Sequence, residues 1–106
     1  MTKFMRMIVL FDLPVKEKAA QKAATKFRKF LIDDGYLMLQ YSVYTRVCNG
    51  YDAVKTHEKR LKAHLPENGS VRLLTITEKQ YESMQILLGE FTQSDTPVSY
   101  EQLTLL

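Results

Sequence analysis

The sequence predicts one α+β domain with a ferredoxin-like plan, in which an antiparallel sheet carries two helices on one face. Two observations predict it. The segments follow the order strand, helix, extended run, helix, strand, and 106 residues with 45% hydrophobic content are enough for one core but not for two. Because many unrelated functions share this plan, the function has to be sought in individual residues.

The first strand spans Phe4 to Phe11, a nearly continuous apolar stretch rich in β-forming residues. Such a stretch is typical of a strand that is covered on both faces. The strand stops at Asp12-Leu13-Pro14, and from Lys16 the apolar residues recur three and four positions apart, up to Gly35 at the position of a left-handed C-cap. These features predict a helix of about five turns.

The next segment, residues 37–48, is an extended run in which side chains alternate with a period of two. It forms either one bent strand or two short ones, and the ferredoxin-like plan requires two. Gln40, Ser42 and Tyr44 are expected to share one face of this run. No nucleophile-elbow pattern surrounds Ser42, so we expect that face to have a structural or interface role rather than a role in acyl transfer.

The remaining elements follow from shorter signals. They are a second helix with the narrow stripe Val54, Glu58, Leu61 and Leu65, a strand over residues 71–76, a short helix near Tyr81 to Met84 and an extended stretch over residues 86–88. The short helix is predicted because Thr77-Glu78-Lys79-Gln80 has the spacing of a capping box.

The chain is expected to divide into residues 1–91, the ferredoxin-like domain, and residues 92–106, a polar linker with a C-terminal interaction strand. The interaction strand is the apolar segment Leu103 to Leu106. An apolar strand on a linker is suited to the edge of another sheet, which predicts a homodimer.

Composition and charge exclude several classes of protein. The longest apolar run, Met7 to Phe11, is too short for a membrane span or a secretory signal, so we expect a soluble cytoplasmic protein without membrane contact. A single cysteine, Cys48, excludes an internal disulfide framework, and its spacing from His57 and His64 is not that of a zinc finger. The two histidines are interpreted as helix-surface or edge residues.

Charge is unevenly distributed along the chain. Residues 1–65 hold 13 Lys and Arg against 6 Asp and Glu, whereas residues 66–106 hold 2 against 6. The basic part would attract a polyanion, although a solvated surface with chance segregation is the alternative.

Lysines form a stripe on each predicted long helix, and two arginines lie close to these stripes or to the extended run. The residues are Lys18, Lys22, Lys26 and Lys29 on the first helix, Lys55, Lys59 and Lys62 on the second, and Arg28 and Arg46. Such stripes can follow the phosphates of a nucleic acid without recognising its bases, and solvated helix faces are the alternative. The guanidinium groups additionally suit bidentate contacts to phosphate or carboxylate.

Asp12 is the strongest candidate for a catalytic or metal-binding residue, because it directly follows a buried strand, and binding sites are common in the loops at strand ends. Its carboxylate suits Mg²⁺, which typically takes one or two carboxylates together with waters and phosphate oxygens. A second Asp12 from a symmetry mate would supply the second carboxylate. The alternative is an Asp that caps the next helix or accepts local amide hydrogen bonds.

Five segments carry a family resemblance through their order and spacing. They are Met7-Ile8-Val9-Leu10-Phe11-Asp12-Leu13-Pro14, Phe27-Arg28-Lys29-Phe30-Leu31, Gly35-Tyr36, Gln40-Tyr41-Ser42-Val43-Tyr44 and Leu73-Leu74-Thr75-Ile76-Thr77-Glu78-Lys79-Gln80. Together they resemble the CRISPR-associated Cas-two family over about residues 4–90, and the last segment is similar to variants that accompany type II systems.

The resemblance implies a homodimer that joins two dimers of the Cas-one integrase in the complex that captures foreign DNA and inserts it as new spacers. It also implies Mg²⁺-dependent endonuclease activity on RNA or DNA, with Asp12 as the catalytic metal ligand that the two protomers share. The expected partners are therefore a second copy, the integrase, and the backbone of duplex DNA or single-stranded RNA. Beside the site, Phe11 stands where the family often has Tyr, which removes a hydroxyl group.

Two other functions remain open at this point. A free-standing RNA-binding module of the same fold is expected to carry aromatic-rich strand motifs, and this sequence has none. A toxin-like ribonuclease would act alone, without an integrase.

Overall fold

The computed structural model describes residues 3–95. Its elements are β1 Phe4–Asp12, α1 Lys18–Asp33, β2 Leu37–Gln40, β3 Val43–Asn49, α2 Tyr51–Ala63, β4 Ser70–Thr77 and α3 Glu78–Glu82, followed by a 3₁₀ turn at Gln93–Asp95. The strands form one antiparallel sheet in the order β2-β3-β1-β4. The predicted ferredoxin-like α+β plan is confirmed, and the extended run after α1 is two strands.

The helix-covered face of the sheet holds the main core. Side chains of a strand alternate between the two faces, and every second residue of β1 points toward α1 and α2. The core consists of Met5, Met7, Val9 and Phe11 of β1, Tyr44 and Cys48 of β3, Phe27 and Leu31 of α1, Tyr36, and Val54 and Leu61 of α2. None of the helices in residues 3–95 is both long enough and apolar enough to cross a membrane.

The C-terminus of α1 is closed as the sequence predicts. Gly35 has a φ of 91°, which favours glycine, and its N–H donates to the carbonyl of Ile32 at 3.0 Å. The N–H of Tyr36 donates to the carbonyl of Leu31 at 2.9 Å. These two hydrogen bonds form a Schellman motif, which turns the chain from α1 into β2.

Residues 3–95 cover only part of the opposite face of the sheet, which is called here the open face. Arg6 is buried on it and donates two hydrogen bonds to the Glu78 carboxylate, at 2.9 and 2.7 Å, while its guanidinium lies 4.0 Å from the centre of the Tyr81 ring. These contacts hold α3 over the first part of β1. Further along the sheet, Leu10 is 39% exposed and Leu74 is 52% exposed. The prediction that β1 is covered on both faces therefore holds only for its first part.

The short helix α3 starts with the predicted capping box. The Thr77 hydroxyl accepts from the Gln80 N–H at 3.0 Å, and the Gln80 side chain accepts from the Thr77 N–H at 2.9 Å. Because this reciprocal cap sets the helix start, α3 begins at Glu78, three residues earlier than predicted.

The chain after α3 differs from its prediction. Residues 86–88 do not form a strand, since Leu87 and Leu88 stand almost fully exposed with no paired strand within residues 3–95. The residues expected to begin the linker pack against the edge of the sheet instead, because the buried Ser94 donates to the carbonyl of Leu37 at 3.2 Å. The predicted interaction strand Leu103 to Leu106 lies outside the described residues, so the division at residue 91 stays a prediction.

Candidate metal and nucleic-acid sites

Asp12 is the exposed last residue of β1. In the register with β4 it lies opposite Ser70, and Leu10 lies opposite Arg72. Because Phe11 between them points into the helix-covered core, Asp12, Leu10 and Arg72 all belong to the open face. An acidic and a guanidinium side chain are thus on neighbouring strands at the same end of that face.

Gly69 lies against the backbone of Asp12. Its φ is 103°, and a Cβ at this position would lie 2.6 Å from the Asp12 carbonyl oxygen and 3.2 Å from the Cα of Leu13. A side chain here would force the start of β4 away from the end of β1. The glycine therefore allows the close approach that places Arg72 near Asp12.

A single Asp12 fits only one part of a metal site. Within residues 3–95 no group of three or more His, Cys, Asp or Glu side chains is arranged to hold an ion. An exposed carboxylate at the edge of the open face does suit Mg²⁺, provided that a second carboxylate approaches from outside the chain. The donor set therefore fits half of a shared Mg²⁺ site.

Cys48 and His64 lie in surroundings that explain them without a ligand. Cys48 is fully buried beside Met7, and burial raises the pKa of its thiol above the usual range. The His64 ring stacks on Phe30 with 4.1 Å between ring centres, and its Nδ1 donates to the carbonyl of Arg60 at 2.8 Å.

The prediction that His57 is a surface or edge residue is wrong. His57 is 8% exposed, and its Nδ1 donates to the Asp34 carboxylate at 2.8 Å. The same carboxylate also accepts from the Arg60 guanidinium at 2.8 Å. Burial would raise the pKa of Asp34, but these two hydrogen bonds and the charges of His57 and Arg46 hold it below the ordinary value. This cluster ties the end of α1 to α2.

The lysine stripes lie on the outside of the helix layer. Each of Lys18, Lys22, Lys26, Lys29, Lys55, Lys59 and Lys62 is exposed. Lys29 pairs with Asp33 at 2.7 Å and Lys62 with Glu58 at 3.2 Å, whereas the other five have no ion-pair partner among residues 3–95. Asp12 belongs to the open face, whereas the stripes lie on the helix layer, so these two candidate sites are on different sides of the sheet.

The two arginines proposed with the lysines are placed very differently. Arg46 is 7% exposed, donates to the Asp34 carbonyl at 2.7 Å and lies over Gly35, where a Cβ would collide with its guanidinium. An external phosphate cannot reach this buried side chain, so we assign Arg46 a structural role, in which it stabilises the turn between α1 and β2. Arg28 is half-buried, with its guanidinium carbon 5.9 Å from the centre of the Phe11 ring.

The expected shared face of Gln40, Ser42 and Tyr44 does not exist. Ser42 lies in the turn between β2 and β3 with a φ of 62°, which rotates the chain between the two strands. Tyr44 is buried, and its ring stacks on Phe11 at 5.6 Å. The period of two predicts one face for these three residues only if the run is a single strand, and the turn at Ser42 divides it into two.

Sequence reasoning missed Arg72 as a neighbour of Asp12. Arg72 occupies an alternating position on a predicted strand, which gives its face but not its partner strand. The missing information is the antiparallel pairing of β1 with β4, which brings residues 60 positions apart in the chain together.

Three comparisons with known proteins bear on the family and the fold of this chain. The family model described as CRISPR associated protein Cas2 matches residues 5–84. A relative from Acidovorax ebreus is 52% identical over 95% of this chain and 99% of its own length, and one from Campylobacter jejuni is 47% identical over 97% of this chain and 72% of its own. Both are named CRISPR-associated endoribonuclease Cas2.

A solved structure described as the crystal structure of Cas2 has the same fold. It superposes with a TM-score of 0.57 at 20% identity, covering 91% of this chain and 95% of the other. Together with the family model and the relatives, this similarity shows that the chain belongs to the Cas2 family of CRISPR-associated proteins.

Proposed function

We propose that this chain forms a homodimer that joins integrase dimers of the Cas-one family during spacer acquisition and binds the captured DNA by its backbone. Mg²⁺-dependent cleavage of RNA or DNA at Asp12 is a second, separable activity. The observation that carries the proposal is the position of Asp12 at the edge of the open face, on the other side of the sheet from the lysine stripes.

The homodimer is supported by the open face. Leu10 and Leu74 are among the exposed apolar residues there, and a second copy of the chain would remove both from water. Docking about a twofold axis matches identical surfaces to each other. It would bring the two Asp12 carboxylates together at the dimer axis and complete the metal site.

Cleavage would use few groups of the chain. Two Asp12 carboxylates would hold Mg²⁺, which would polarise a phosphodiester and lower the pKa of a bound water. Arg72, on the same face, is suited to hold a phosphate oxygen pair with its planar guanidinium. Among residues 3–95, each protomer brings a single carboxylate and no evident general base to this site, and Phe11 points into the helix-covered core rather than toward Asp12, so we expect slow turnover.

Backbone binding would use the helix layer. Five exposed lysines without an ion-pair partner in residues 3–95 lie there, and Lys29 and Lys62 extend the two stripes. Contact with about six phosphates predicts a slope near −5 in a log–log plot of affinity against salt, and each lysine removed should reduce the slope by about one unit. A bridge needs shape, charge and a dimer, and none of these depends on Asp12.

Asp12→Asn tests the two activities separately. The amide keeps the shape of the side chain but loses the charge that binds Mg²⁺, so we expect cleavage to be abolished and integration to remain normal. The purified variant is compared in a nuclease assay and in an integration assay reconstituted with the integrase. Asp52→Asn, an exposed aspartate in the first turn of α2, is the matched control and should leave both unchanged.

Loss of integration by an Asp12→Asn variant with the unaltered circular dichroism spectrum would overturn the scaffold proposal. Cleavage that persists in this variant at the level of the unmodified protein would overturn the assignment of Asp12.

The names of the relatives favour a second candidate, a ribonuclease that acts without an integrase. Co-purification distinguishes the two. A scaffold is retained on an immobilised integrase, whereas a free ribonuclease is not retained and arrests growth when it is expressed alone.

A further inference from the structure

We propose that Tyr41, backed by Arg28, is a stacking site for an unpaired nucleobase, so that a single-stranded polynucleotide is held beside Asp12. This inference rests on the proposed function, because it assigns a substrate feature to the same end of the sheet. It makes Tyr41 a positioning residue for single strands and gives it no role in binding duplex DNA.

Tyr41 presents its ring to solvent at the turn between β2 and β3. The residue is 79% exposed, although a tyrosine usually buries much of its ring. An exposed aromatic ring in a basic protein offers the surface on which unpaired bases stack, and such stacking tolerates any base because every base has a flat π face.

Arg28 supports the ring from α1. Its guanidinium carbon lies 5.7 Å from the centre of the Tyr41 ring and 5.9 Å from that of Phe11, within the range of cation–π attraction. The guanidinium therefore links an exposed ring to a core ring.

The backbone beneath the ring is held in an uncommon conformation. Ser42, the next residue, has a φ of 62°, and it is the one non-glycine residue among those described with a positive φ. Its carbonyl accepts from the Phe11 N–H at 3.0 Å, which ties the turn to the end of β1. Backbone strain of this kind is retained where the surrounding structure over-determines it, and it is common at ligand-binding sites.

The same hydrogen bond ties the turn that carries Tyr41 to the residue directly before Asp12. Asp12 directly follows Phe11, so Tyr41 and Asp12 flank one end of the sheet, with the ring toward the helix layer and the carboxylate on the open face. A single strand that stacks a base on Tyr41 and crosses this end brings its backbone to Asp12. Duplex DNA keeps its bases paired and stacked internally, and so gains nothing from the ring.

Equilibrium binding of labelled oligonucleotides tests the proposal without cleavage. Fluorescence anisotropy is measured on the full chain carrying Asp12→Asn, with single-stranded RNA, single-stranded DNA and duplex DNA of one length. Tyr41→Ala should lower the affinity for both single strands roughly five- to 150-fold, which is the range expected for loss of one base–aromatic stack. Its salt slope should not change because no cation is removed.

Three comparisons make the result specific. Tyr41→Phe should bind like the parent, since the ring remains. Tyr51→Ala removes another tyrosine that is 60% exposed, on α2, and should leave affinity unchanged. An abasic strand of the same length and charge should bind the parent no more tightly than it binds Tyr41→Ala, which tests the stack even without a substitution.

The proposal is overturned if Tyr41→Ala binds single strands as tightly as the parent does, if duplex binding falls equally, or if Tyr51→Ala loses as much. A larger loss of affinity for RNA than for DNA would indicate an additional contact to the 2′-hydroxyl. An equal loss of affinity for both would assign the site to the base alone. None of these results alters the nuclease and integration assays, so a failure here is distinguishable from a failure of the proposed function.

Discussion

The two faces of the sheet are made by the same strands but are covered to different extents. On the helix-covered face, Met5, Met7, Val9 and Phe11 of β1 are all buried under α1 and α2. On the open face, α3 covers Arg6, whereas Leu10 and Leu74 remain exposed beside Asp12 and Arg72. Residues 3–95 bury one face and leave part of the other uncovered, so stability and association should respond to different substitutions.

The helix-covered face should dominate the stability of the protomer. Phe27 is buried in its core and meets Phe11 edge to face with ring centres 5.3 Å apart. Phe27→Ala should lower the free energy of unfolding by about 3–5 kcal/mol, because it removes apolar contacts and leaves a cavity. Urea unfolding at fixed protein concentration measures this, and a loss below about 1 kcal/mol would contradict the assignment of the core to this face.

The link between α1 and α2 should make the stability depend on pH. Hydrogen bonds from His57 and Arg60 hold the pKa of Asp34 below its ordinary value of 3.8 despite burial, so the folded state favours the ionised carboxylate. Stabilisation by a group with a lowered pKa is present above its unfolded pKa and is lost as the pH falls through the folded value.

Asp34→Asn should therefore cost about 2 kcal/mol at pH 7, the scale of hydrogen bonds to a charged group. The difference in unfolding free energy between parent and variant should shrink as the pH falls below about 4. A difference that stays constant from pH 7 to pH 3 would show that the charge of Asp34 is not what stabilises the link. Asp33→Asn, the exposed neighbour, is the control and should change stability little.

The open face should govern association while contributing least to the stability of a protomer. Leu74→Glu should change the unfolding free energy of a dissociated protomer by less than about 1 kcal/mol, since the side chain is already half exposed. The mass measured by sedimentation at micromolar concentration should nevertheless change from that of a dimer to that of a monomer, because docking would bury a carboxylate without a partner. Leu88→Glu, on the exposed stretch after α3, is the matched control and should stay dimeric.

A C-terminal truncation complements that test. The segment beyond residue 95 was predicted to join or extend the sheets of the dimer, and a cut after Asp95 removes it without disturbing the packed turn. Asp95 itself has to be kept, because its carboxylate accepts from the Thr92 N–H at 2.9 Å and from the Tyr81 hydroxyl at 3.3 Å. We expect the truncated chain to lose dimerisation or solubility, and a truncated chain unchanged in both at micromolar concentration would contradict the predicted interaction strand.

The sequence by itself determined the features that depend on near neighbours along the chain. Local backbone preferences and short-range hydrogen bonds act within a few residues, which is why the cap at Gly35 and the capping box at Thr77 were predicted correctly. The hydrophobic period of each segment likewise determined the order of strands and helices. The place of Asp12 at the end of the first strand was predicted in the same way, and its role as a metal ligand stays a prediction.

Only the tertiary structure decided which side chains meet. Arg46 and His57 are charged or polar residues that the sequence suggests as surface groups, yet Asp34 and the turn at Gly35 enclose them in the interior. Arg72 joins Asp12 through the register of β1 with β4, and the lysine stripes lie apart from Asp12 because both helices cover one face. Such proximities depend on pairing between segments distant in the chain, and the energy that selects the pairing comes from burying both sets of apolar residues together, which no single segment encodes.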